Sequence, residues 1–154
     1  MTARPELALT LQFRDARHRA LLPRHRVARW IRAALGLPAR LAVRVVGEVE
    51  GRALNRDFRG RDYATNILTF SYDSTPVVVA DLVVCAPVVA REAREQHLDL
   101  VAHYAHMLVH GTLHAQGYTH AHAADARIME SRESQVLVAL GFPDPYRRTR
   151  GGPR

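Results

Sequence analysis

Histidines at positions 110, 114 and 120 stand in the run HGTLHAQGYTH, with a glycine at 117 between the second and the third. Imidazole is a good zinc donor, and residues four apart share one face of a helix, so His110 and His114 can chelate a single ion. That spacing alone arises often by chance; Gly117 and His120 add weight to it. A glycine just past the last helical residue takes the left-handed conformation that turns a chain sharply, and His120 can then swing back toward the first pair. Three imidazoles leave a fourth tetrahedral position open for water or substrate, the arrangement of catalytic rather than structural zinc.

The spacing HxxxHxxGxxH is also that of the metzincin peptidases, in which a glutamate beside the first histidine is the general base. Here that position is Gly111. Glycine takes no proton and costs about 1 kcal/mol in mid-helix, so it is expected to permit close approach by a substrate or by another backbone segment. A peptidase would need a carboxylate from elsewhere, such as Asp81 or Glu130.

Positioning these ligands requires a fixed helix. The segment from about Asp99 to Gln116 carries Leu100, Val101, Tyr104, Met107, Leu108, Val109 and Leu113 nearly all round, which predicts burial. At about 100° per residue, His103, His106, His110 and His114 fall within an arc of roughly 80°. His103 and His106, upstream of the ligands, are expected to make hydrogen bonds in the core or behind the metal. His97 and His122 are expected to be solvated, and His18 and His25 to belong to a basic first helix.

Around that helix the chain reads as an α+β domain. Alternation over residues 6–13 predicts a strand, RHRVARWIRAALG a helix with a basic outer face, residues 41–49 a second strand and residues 48–58 a short helix. Two further strands, residues 66–72 and 77–85, flank the turn signal DSTP. Helices follow after Pro87, from about Asp99 and from about Ala124 to Leu140. The expected architecture is a single domain over residues 1–146, a mixed sheet of about four strands covered by helices with the metal site at the end of a buried helix, and a short basic tail at 147–154.

Composition narrows the chemistry. The one cysteine, Cys85, excludes an intramolecular disulfide and thiolate-rich zinc sites, and at a strand end it is expected to be a small core residue. No apolar run approaches the roughly 20 residues of a membrane span, so a cytoplasmic protein is expected. The net charge is +7 in 154 residues, and all 22 basic residues are arginine. Arginine grips phosphate through paired hydrogen bonds, and a basic surface attracts phosphodiester backbones, although a merely soluble basic protein has the same composition.

The chain resembles the YbeY family of bacterial endoribonucleases. AHMLVHGTLHAQGYTH is similar to the family signature HGxLHxxGYDH with its upstream residues, LNRDFRGRDYATNILTF to LNxxFRxxDxxTDVLSF, ADLVV to the GDIxI strand, and LGFPDPYR to the C-terminal ending. The resemblance implies metal-dependent cleavage of single-stranded RNA in ribosomal RNA maturation. Carried over position by position, it implies His110, His114 and His120 as ligands of one zinc ion per chain, and Arg59 as the functionally important arginine, with Arg59 and His114 carrying catalysis. Three departures stand out: Thr119 replaces the aspartate before the last histidine, Asn66 the aspartate of TDVLSF, and Ala80 the glycine of GDI.

The expected function is therefore a zinc-dependent, single-strand-specific endoribonuclease acting in 16S ribosomal RNA 3′ end processing and ribosome quality control. Expected partners are ribosomal RNA and the ribosomal subunit, with ribosomal proteins or an assembly GTPase as further candidates, and no membrane. The helix from Arg24 to Arg32 and the segment from Arg56 to Arg61 are the expected phosphate-binding surfaces. Two alternatives stay open: a metzincin-like peptidase, and a non-catalytic ribosome-assembly factor with a structural zinc.

Overall fold

The structure, a computed structural model, describes residues 5–147; of the expected basic tail, 148–154 lie outside the described residues. Four strands, β1 (Leu7–Phe13), β2 (Ala39–Val46), β3 (Ile67–Asp73) and β4 (Val78–Cys85), form one mixed sheet in the order β1-β2-β4-β3. β1 and β2 run parallel with Leu9 beside Leu41, β2 and β4 parallel with Leu41 beside Ala80, and β3 antiparallel to β4 with Thr69 beside Leu82. The β-branched and aromatic runs that predict these strands face two layers. The helices are α1 (Arg24–Ala34), α2 (Glu48–Arg59), α3 (Ala86–Glu95), α4 (Leu100–Ala115) and α5 (Ala123–Ala139), with a short 3-10 turn at Arg19–Leu21.

The main core joins the sheet to α1, α4 and α5. Val27, Trp30 and Ile31 meet Leu41, Val43 and Leu82, with Tyr104, Leu108, Leu113, Met129 and Leu137 between them. A smaller apolar cluster, Val46, Leu68, Val83, Cys85 and Val88 with Leu54 and Phe70 against it, lies apart from that core. α4 sits at the centre and is buried on nearly every side, as its sequence predicts. Its start is fixed by Asp99, whose side chain accepts from the backbone N–H of Ala102 at 3.0 Å. Its end is fixed by Gly117 at φ 100°, with the N–H of Tyr118 donating back to Leu113 O at 3.1 Å.

Gly111 is explained by packing rather than by access. A β-carbon there would stand 2.7 Å from Ile67 Cδ1 and 3.3 Å from Leu82 Cδ2, so glycine lets α4 settle onto the β3 and β4 side chains. The close approach is thus by side chains, neither by substrate nor by backbone.

Several boundaries differ from expectation. β2 ends at Val46 rather than at 49, because Gly47 caps α2, with Glu48 and Glu50 in the first turn where the helix dipole favours acids. His18 does not join α1, which begins at Arg24; its Nδ1 pairs with the Tyr104 hydroxyl at 2.6 Å. His25 is in α1. No helix of the described residues is long and apolar enough to cross a membrane.

Candidate metal centre and cleft

The last turn of α4 and the loop beyond Gly117 bring His110, His114 and His120 together, with one nitrogen from each within 4.8 Å of the others. Ring centroids are separated by 4.6 Å between His110 and His114, 4.8 Å between His114 and His120, and 5.6 Å between His110 and His120. His110 and His114 are partly buried and His120 is exposed.

The residues fit a metal on their own hydrogen bonding. His110 Nδ1 is 2.8 Å from Glu133 Oε2, and His114 Nδ1 is 2.9 Å from the Tyr118 carbonyl oxygen. An ionised carboxylate and a carbonyl only accept, so both rings carry their proton on Nδ1 and, when neutral, keep the Nε2 lone pair for an ion. His114 is held neutral: burial, then the neighbouring His110 and His120, lower its pKa to about 4.

His103 and His106 stay out of this triad. His103 Nε2 is 2.9 Å from Glu92 Oε1, whose carboxyl also receives Asn66 Nδ2 at 3.2 Å. His106 Nε2 lies 2.6 Å from Glu133 Oε1. His97 and His122 are exposed.

The three histidines open into a cleft of about 610 Å³ lined by Asn55, Arg59, Arg61, Tyr63, Thr65 and Asn66 on one side and by Ile67, Thr69 and Ser71 of β3 on another. Arg59 is the last residue of α2, and the left-handed Gly60 that caps the helix, at φ 70°, turns the chain along the cleft. Phe58, just before Arg59, is 67% exposed and meets Phe70 edge-on, with ring centroids 5.2 Å apart, so it does not anchor the segment. The segment is anchored instead by Asn55, 2% exposed, whose side-chain amide donates to Tyr63 O at 2.7 Å, and by the two-bond pair of Arg52 with Asp62 at 2.8 and 2.9 Å.

Charge is distributed unevenly along that segment. Arg52 pairs with Asp62 and Arg56 with Asp57, whereas among the described residues Arg59 and Arg61 have no ion-pair partner. Among the described residues no aspartate or glutamate lines the cleft. Asp81 accepts the Tyr72 hydroxyl at 2.8 Å, and neither it nor Glu130 borders the cleft, so neither candidate carboxylate supplies a general base for peptide hydrolysis. The place where a side chain at 111 would project is filled by Ile67. No residue of α1 lines the cleft either, and Arg24 and Arg26 donate to the carbonyls of Leu9 and Leu21. Of the two expected phosphate-binding surfaces, only the 56–61 segment borders the cleft with the three histidines.

Glu133 was not among the expected site residues. A signal for it existed: it is the one acid among Met129, Val136 and Leu137 on the buried face of α5. Its partners on α4, however, are 23 and 27 positions away, beyond any local pattern. Burial opposes its charge, but hydrogen bonds with His106 and His110, the charge of His110 and the Tyr146 hydroxyl outweigh it and hold its carboxyl at about 2.

A family model described as Endoribonuclease YbeY matches residues 15–141. A relative with that name from Methylibium petroleiphilum is 67% identical over 144 residues, covering 94% of this chain and 97% of that protein. Another, from Acidovorax sp. strain JS42, is 62% identical over 146 residues, covering 92% and 96%. A solution structure of a Thermotoga maritima protein superposes with a TM-score of 0.58 at 23% identity, covering 91% of this chain and 99% of that one, and shares the fold. The family match begins ahead of α1 and runs past the end of α5, and the named relatives align over more than nine-tenths of the chain: the chain belongs to the YbeY endoribonuclease family.

Proposed function

We propose that this protein is a zinc-dependent endoribonuclease that cuts single-stranded RNA, acting in the cytoplasm on ribosomal RNA at the 3′ end of the 16S molecule and in ribosome quality control. The observation that carries the reading is the cleft itself: three converging imidazoles beside two arginines without ion-pair partners, and no carboxylate among the described lining residues. Such a surface attracts a polyanion and suits a phosphodiester better than a peptide.

His110, His114 and His120 would hold the zinc, with Nε2 of His110 and His114 free for it. When bound, zinc supplies Lewis-acid polarisation of a phosphoryl oxygen or of water. Arg59 and Arg61 bind the phosphates that flank the scissile bond, and Arg59 stabilises charge as it builds on the attacked phosphorus. The nucleophile is either water or the neighbouring ribose 2′-OH. Tyr63, 53% exposed on a loop held by Asn55, offers a ring on which an unpaired base can stack. Ribosomal RNA as the substrate, the ribosomal subunit as its setting, and ribosomal proteins or an assembly GTPase as partners rest on the family resemblance.

A nuclease assay on unstructured and fully paired RNA, with and without chelator, tests the reading. Cleavage of the unstructured RNA alone, abolished by chelator and restored by zinc, is the expected result. RNA binding without cleavage under all conditions would favour an assembly factor with a structural zinc.

Two binding measurements sharpen the assignment. The affinity for unstructured RNA should fall with salt, log K against log salt having a slope of about −0.7 for each phosphate neutralised, and Arg61→Ala should reduce that slope by about 0.7. A flat salt series would leave the charge of +7 as a solubility feature. Tyr63→Ala should weaken RNA binding by about 5- to 150-fold, the range expected for one lost base–aromatic stack of about 1–3 kcal/mol, and Tyr63→Phe should retain it. Fluorescence anisotropy at fixed salt measures both; equal losses in the two variants would remove stacking from the account.

A further inference from the structure

Glu133 is a charged side chain, 1% exposed, on the apolar face of α5. Packing does not explain it, since a well-fitted apolar residue at a buried charged position is often at least as stabilising. Its two oxygens have separate tasks. Oε2 receives His110 Nδ1 at 2.8 Å, while Oε1 receives the Tyr146 hydroxyl at 2.5 Å and His106 Nε2 at 2.6 Å. The Oε1 donors come from two elements, α4 and the segment after α5. That segment is itself tied down, with Asp144 Oδ1 accepting from Ser134 Oγ at 2.8 Å and from the Tyr146 N–H at 2.9 Å. The carboxylate therefore cannot rotate away from His110 without breaking bonds on its other side.

We propose that Glu133 is the positioning residue of the metal centre: it fixes His110 in the Nδ1–H tautomer, aims its Nε2 at the ion and makes it the most electron-rich ligand, while His106 and Tyr146 lock the carboxylate in place. The inference rests on reading the three histidines as a metal site. His114 differs instructively, because its Nδ1–H goes to the neutral carbonyl of Tyr118, which orients a ring without lending it charge. Among the described residues His110 alone of the three ligands has a carboxylate behind it. Partners of this kind raise ligand basicity and restrict ring rotation, and their loss typically weakens metal binding 10- to 100-fold.

The test is Glu133→Gln, which preserves shape and removes the charge. Zinc affinity is measured on the full chain by competition with a chromophoric chelator, and thermal melting is recorded for the metal-free and zinc-loaded forms. The expected result is zinc binding about 10- to 100-fold weaker than wild type, with a smaller zinc-induced rise in melting temperature. Wild-type zinc affinity in the variant overturns the inference while leaving the metal site intact. Failure of the wild-type protein to bind zinc overturns the metal site itself, and the inference with it. Should the variant fail to fold, ¹H–¹⁵N spectra of the histidine rings of the metal-free wild type decide the matter. A protonated Nδ1 on His110 supports the proposal, and a protonated Nε2 with bare Nδ1 overturns it.

Discussion

His114→Ala should purify without zinc, while the wild-type chain carries one ion. His114 is the ligand between the other two, its ring centroid 4.6 Å from that of His110 and 4.8 Å from that of His120, so its removal leaves one ligand from the helix and one from an exposed loop. Disturbing a residue behind a ligand already costs about 10- to 100-fold in affinity, and losing one of three protein ligands should cost more than that. Metal analysis of both purified proteins checks it, and equal zinc content would sink the assignment of the three histidines. His106→Ala provides the internal contrast. Its Nε2 is committed to Glu133 rather than to the cleft, so the variant should still fill with zinc when the ion is in excess. A His106 variant that cannot be loaded would mean that the wrong three residues have been chosen.

Arg59→Ala should keep the fold and the zinc, bind RNA only modestly more weakly, and cut it at least about a hundredfold more slowly, as for the loss of a preorganised charged stabiliser. The fold should survive because Arg59 is exposed at the last position of α2 and has no ion pair to lose among the described residues. Gly60 still caps the helix, and Asn55 still holds the loop. The distinction from simple phosphate binding lies in the kinetics. If Arg59 only grips phosphate, saturating RNA restores the single-turnover rate; if it stabilises developing charge, the deficit remains at saturation. Single-turnover cleavage of an unstructured RNA by both proteins, at saturating RNA, separates the two, and an unchanged rate would remove Arg59 from catalysis.

The helix that carries His110 and His114 was legible because its signals are local. Asp99 caps it, apolar residues surround it and Gly117 ends it, and each acts within a few positions. The strands were legible for the same reason, but not their order: placing β4 between β2 and β3 depends on pairing Ala39–Val46 with Val78–Cys85, which no neighbouring pattern specifies. The three histidines were legible through their spacing. What supports and surrounds them was not, because Glu133, Tyr146 and Tyr63 reach the site only through the packing of α5, the segment after it and the Asn55-anchored loop. His18 misled because a histidine among arginines suggests a basic face. A tertiary contact with Tyr104 decided its place instead.

The donors to Glu133 also set the order in which the centre is assembled. Synthesis proceeds from the N-terminus, so a growing chain has α4 and all three histidines before Glu133 exists, and Glu133 before Tyr146, which lies 13 residues further on. The three histidines are thus available early and the groups that brace them arrive later. A chain cut short ahead of Tyr146 holds every histidine of the site yet leaves a buried carboxylate with one donor fewer and the segment that fixes it gone. A product that ends between Glu133 and Tyr146 therefore has the three histidines in place and their scaffold unfinished.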